Sequence, residues 1–141
     1  MIETRTAPYA ALVLRLSLGV MFVAHALLKL FVFTLPGTVQ FFQSLGLPGV
    51  LAYATFAAEL LGGALLILGV RTRLVAAALV PVLLGATWVH AGNGWLFSAP
   101  NGGWEYPLFL TVAAVVQVLL GHGAYALDDL RGARRPQLQA A

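Results

Sequence analysis

The sequence predicts an all-α fold, a bundle of four transmembrane helices in a single membrane domain. Three observations carry this. Of 141 residues, 60% are hydrophobic and only 9% charged, whereas a soluble domain is about 25% charged. Mean hydropathy is +0.89. The apolar residues fall into four segments of roughly 20 residues, the length that crosses a bilayer as a helix, separated by short stretches rich in Gly, Pro and Arg.

The first span is expected over residues 10–35, after a short polar lead with Pro8 suited to a helix start. Arg5 followed by an apolar run invites a signal-peptide reading. The run continues well past any cleavage-like site, so an uncleaved span is preferred. This span carries groups that hydrocarbon does not tolerate alone. At 100° per residue Arg15, Phe22 and Lys29 lie close to one line, with His25 beside it. Such a stripe faces protein or a wet cavity.

Residues 36–49 hold Pro-Gly at both ends and no charge. Phe41, Phe42 and Leu45 recur at helical spacing. This predicts a short interfacial helix between spans 1 and 2, although an ordinary loop fits nearly as well. Span 2, residues 50–70, holds Glu59, followed one turn later by Gly62 and Gly63, where another helix can approach closely. Span 3, residues 74–90, contains Pro81, which membrane helices tolerate. The loop 91–106 is irregular, and its aromatics, Trp95, Phe97, Trp104 and Tyr106, suit an interfacial belt. Span 4 is expected over 105–124, with Gln117 and His122 read as structural, and a polar tail over 125–141.

Orientation follows from the arginines. Arg5, Arg71, Arg73, Arg131, Arg134 and Arg135 would share one side, and the two opposite loops hold no Lys or Arg. Both termini are therefore expected in the cytoplasm of a bacterial cell, with the chain in the inner membrane. So sparse a basic content at segment ends reads as a topology signal, not a nucleic-acid surface. There is no cysteine, which excludes disulfides, thiol relays, Cys-ligated iron–sulfur clusters and covalent c-type haem. No zinc spacing, phosphate loop or nucleophile triad is present, and no metal site is expected.

At 1.5 Å per residue, His25 lies roughly 22 Å and His90 roughly 25 Å from the arginine-rich side. Lys29 is one turn further out, Glu59 near the midplane, and Glu105 at the outer start of span 4. The spans can thus gather His25, Lys29, Glu59, His90 and Glu105 into one outward-leaning pocket, with Trp104 at its mouth. Glu59 is the proton-exchanging candidate unless Arg15 or Lys29 pairs with it. Arg15, a structural ion-pair candidate, can meet Glu59 or the carbonyls of span ends. A Lys29–Glu105 pair is an alternative. Each histidine also has a plain reading, as a core residue hydrogen-bonded to a neighbour. Haem b between His25 and His90 is disfavoured, because so small a chain needs its interior for packing.

The segments RLSLGVMFVAHALLKL (15–30), AELLGGALLILGVRTRLVAAAL (58–79), WVHAGNGW (88–95), GGWEYPLFL (102–110) and LLGHGAYALDD (119–129) resemble the DoxX family of small bacterial four-helix membrane proteins. The likeness covers roughly residues 10–130. One departure is Ala26, where members often have Gly after the histidine. The resemblance implies a membrane location and a link to redox metabolism, with relatives that serve a thiosulfate:quinone oxidoreductase or oxidative-stress enzymes. It carries over Arg15, His25, Lys29, Glu59, His90, Trp104 and Glu105 as shared polar or aromatic positions.

Two functions of different class follow. One is a membrane subunit of a redox or stress-response assembly, part of a quinone-linked oxidoreductase rather than a stand-alone enzyme, whose outer-half pocket binds a quinone-like or other small polar ligand. The other is a non-catalytic scaffold or assembly factor whose polar cluster is structural. Both call for a protein partner within the bilayer, and a homo-oligomer is compatible with either. A proton-coupled carrier fits less well, since four short spans leave little room for alternating access.

Overall fold

A computed structural model describes residues 3–133, and Arg134 and Arg135, used above to orient the chain, lie outside the described residues. All regular structure among the described residues is helical. Helix α1 spans Ala7–Phe31, α2 Leu35–Ser44, α3 Val50–Leu68, α4 Thr72–His90, α5 Glu105–Leu120 and α6 Leu127–Ala133.

Pro8 occupies the first turn of α1, and the Ala10 N–H reaches the Thr6 carbonyl. The helix stops at Phe31, short of the expected residue 35. Thr34 takes φ 60° and turns the chain, and its hydroxyl accepts the Gly37 N–H at 3.2 Å, capping α2. A short helix, α2, is therefore present where the interfacial one was expected. Gly69 ends α3 in the left-handed conformation, φ 71°, with the Val70 N–H returning to the Leu65 carbonyl. That arrangement satisfies carbonyls that helix ends otherwise leave open.

The four long helices close a ring. Helix α1 packs along α3, α4 along α5, and the α3–α4 and α1–α5 contacts complete it, while α2 lies against α3. The core is built from Leu18, Phe22, Leu66, Leu79, Leu83, Ala113 and Ala114. Helices α1 and α3 come closest where glycines face. A Cβ on Gly63 would lie 2.8 Å from the Gly19 carbonyl, and one on Gly19 would lie 2.9 Å from that of Gly63. Small residues allow such backbone contact between membrane helices.

The outer surface is apolar. Val13, Val20, Leu61, Leu74, Leu84, Phe109 and Leu119 are exposed, the reverse of a soluble bundle. By length and composition, three helices suffice to cross a membrane: Ala7–Phe31, Val50–Leu68 and the α4 stretch Thr72–Asn93. Helix α5 is apolar but has 16 residues. It ends at Leu120 rather than 124 because Gly121 turns away at φ +88°. Beyond it, residues expected partly as the end of span 4 and partly as tail form an element of their own. Residues 121–126 run back across the bundle end and lead into α6. The Ala124 N–H binds the Pro8 carbonyl at 2.9 Å, and the Asp128 carboxylate accepts the Arg71 N–H at 2.6 Å.

Candidate functional site

The expected polar residues are placed at four positions. The deepest pair is Lys29 and Glu59. The lysine is in the last turn of α1 and the glutamate is midway along α3. The Lys29 Nζ donates to both carboxylate oxygens, at 2.9 and 2.7 Å. Their side chains are 16% and 8% exposed. Of the pairings left open by the sequence, this is the one formed. An ion pair so shielded contributes little net stability, yet removing one partner leaves a stranded charge, at a cost of about 3–5 kcal/mol.

Arg15 does not pair with Glu59. It is 1% exposed and points toward the other end of the bundle, where Nη2 donates to the Ala124 carbonyl at 3.3 Å. Its Nε and Nη1 have no partner among the described residues. Gly69 makes room for it, since a Cβ there would collide with the Arg15 Nη1 and approach Ala126 at 2.8 Å. Of the two roles open to Arg15, binding the carbonyl of a span end is the one formed, and the ion pair is not. The reason is reach: Lys29 already covers both oxygens of Glu59, and the strap 121–126 brings a carbonyl to the guanidinium.

His25 lies one turn before Lys29. Its Nδ1 is 2.8 Å from the Met21 carbonyl. A carbonyl only accepts, so Nδ1 is the donor. The ring stacks on Tyr106 with centroids 6.2 Å apart, and the Tyr106 hydroxyl donates to the Met21 sulfur at 3.5 Å. Tyr106, at the start of α5, was seen in the sequence only as a belt aromatic. No periodicity signals a stack between two helices.

His90 fastens the loop between α4 and α5. Its Nδ1 faces the carbonyls of Asn101 and Gly102 at 3.0 and 3.1 Å, and Asn93 donates to the same two. This is the plain role, a histidine hydrogen-bonded to its neighbours. Trp104 sets its ring edge against Trp95 at 4.5 Å. Glu105 accepts the Phe97 N–H at 2.9 Å.

An open groove of about 470 Å³ runs along this end of α5, lined by Trp95, Phe97, Glu105, Tyr106, Leu108, Phe109 and Val112. The single chamber expected from the sequence is thus divided. Glu105 and Tyr106 line the groove, with His25 against Tyr106. Lys29 and Glu59 are closed on each other, His90 is held in the loop, and Arg15 lies at the far end. Chemically, the groove offers a phenol and a carboxylate beside a long apolar wall. Among the described residues no group of three or more His, Asp or Glu is placed to hold a metal ion.

Comparison with known proteins gives the family. The family model described as DoxX matches residues 10–92. A protein of Bacillus subtilis (strain 168) named "Putative oxidoreductase CatD" is 36% identical over 118 residues, 83% of this chain and 83% of that protein. No solved structure matches the chain. A family match over more than half the chain, joined to that identity, establishes that this protein belongs to the DoxX family.

Proposed function

We propose that the chain crosses the bacterial inner membrane four times, with both termini cytoplasmic. In this reading it serves as the membrane subunit of a redox assembly and binds a quinone-like head group at the groove beside Tyr106. The observation that carries this is the pairing of polar groups with apolar wall. Tyr106 and Glu105 stand at one end of the groove, and Leu108, Phe109 and Val112 continue along α5. An amphipathic molecule dissolved in the bilayer has that same division, a polar ring on an apolar tail. Tyr106 would donate to a carbonyl oxygen, and the stacked His25, in its neutral form, would accept from a hydroxyl at Nε2. The name of the Bacillus relative supports a redox setting. The partner protein would supply or accept the electrons.

Equilibrium binding of a short-chain quinone to the detergent-purified protein tests this. Loss of one neutral hydrogen bond in Tyr106→Phe is expected to weaken binding roughly fivefold, and Tyr106→Leu more. Unchanged binding in both would overturn the assignment.

A second reading has its own support. Lys29 and Glu59 satisfy each other, as in a structural network that sets helix register in a scaffold. It predicts a stoichiometric protein partner and no quinone affinity.

A further inference from the structure

We propose that a second groove, at the arginine-rich end of the bundle, binds the phosphate headgroup of an anionic phospholipid, with Arg73 as its main contact. The groove measures about 620 Å³. Its apolar wall comes from Ala7, Pro8 and Ala11 on α1 and Leu120 on α5, its cationic side from Arg73, with His122 next to it.

Arg73 is the second residue of α4, and it forms no ion pair among the described residues. Its position follows from a missing side chain. A Cβ on Gly121 would lie 3.1 Å from the Arg73 Nε and push it back slightly, so the bare backbone lets the guanidinium lie close against the turn that closes α5. The acidic side chains nearby are occupied elsewhere. The Asp129 carboxylate is 2.9 Å from the His122 Nε2, Asp128 accepts the Arg71 N–H, and Glu3 accepts the Arg5 N–H. No acidic residue lines the groove itself.

The occupant is a lipid rather than a free anion because of what surrounds the charge. The groove runs into apolar surface, with Leu119, Leu120 and Tyr9 exposed beside it. Arg73 stands where a spanning helix would meet the headgroup layer, and a guanidinium between helix ends is suited to a phosphate diester. This rests on reading the bundle as membrane-spanning, and lipid selectivity is measured separately from topology.

The test is native mass spectrometry of the full chain, stripped of lipid in neutral detergent and titrated with phosphatidylglycerol or phosphatidylcholine. Phosphatidylglycerol is expected to bind about fivefold or more tightly than phosphatidylcholine. Arg73→Gln should abolish that preference, and Arg71→Gln should keep it. Leu120→Trp, which fills the apolar wall and changes no charge, should weaken binding of phosphatidylglycerol. Equal affinity for the two lipids, unaltered preference in Arg73→Gln, unaltered phosphatidylglycerol affinity in Leu120→Trp, or displacement by millimolar inorganic phosphate would each overturn the proposal.

Discussion

The Lys29 ammonium reaches both oxygens of the Glu59 carboxylate, at 2.7 and 2.9 Å, and so ties the end of α1 to the middle of α3. The two helices are already in backbone contact at Gly19 and Gly63. The ion pair therefore fixes their register rather than bringing them together. Either single change, Lys29→Met or Glu59→Met, is expected to cost about 3 kcal/mol. The double change Lys29→Met with Glu59→Met should recover most of it, because no charge is left stranded. Thermal melting in detergent of the three variants reads this directly, and additive losses would show that the pair is not the coupling.

The glycine contact makes a separate prediction. Gly63→Val places a branched side chain against the Gly19 carbonyl and the side chains of Val23 and Phe22. Overpacking of that kind costs about 1–3 kcal/mol. Because backbone rather than a flexible chain is struck, α1 must shift away from α3. The melting point should fall. Gly85, beside which a Cβ meets nothing within 4 Å, is the control, and Gly85→Ala is expected to be neutral.

Arg15 holds the strap that closes the end of the bundle. Replacing it with Met removes the bond to the Ala124 carbonyl, a loss of about 1–3 kcal/mol, while the packed helices stay. The expected result is local: faster proteolysis around Tyr125, which is already 79% exposed, with little change in the melting of the core. Asp128→Asn, which weakens the tie to the Arg71 N–H, should act in the same direction. A global loss of folding in both would place Arg15 in the core instead.

Much of this was legible in the sequence, for identifiable reasons. Helix positions follow from runs of apolar residues interrupted by Pro36, Gly69 and Gly121, so the four long helices and α2 could be placed within a few residues. The partner of Glu59 could not. Arg15 and Lys29 lie on one helical line, and which of them meets the carboxylate depends on the relative height of α1 and α3, set by the Gly19–Gly63 contact. His90 illustrates a further limit. Its depth matched that of His25, but the loop carbonyls of Asn101 and Gly102 captured it, and loop geometry leaves no periodic trace. Helix α6 is short and charged, and what fastens it is Asp128 at the Arg71 N–H, a contact 57 residues away in the chain.

The orientation rests on arginines and can be checked without disturbing the fold. The chain has no cysteine, so single cysteines report alone. Ser98→Cys lies in the exposed loop between α4 and α5, and Thr4→Cys precedes α1. In intact cells a membrane-impermeant maleimide is expected to label the first and spare the second until the membrane is opened. The opposite pattern would invert the topology, and labelling of both would contradict an odd number of spans between the two positions.

The most direct test of the ligand site is to find where a quinone lands. A photoreactive short-chain quinone, activated on the purified protein and mapped by peptide mass spectrometry, should label residues between Trp95 and Val112, with less labelling in Tyr106→Leu and competition by unmodified quinone. Labelling spread along the lipid-facing surfaces of α1, α3 and α4, indifferent to Tyr106 and to competitor, would contradict the account and leave the scaffold as the better description.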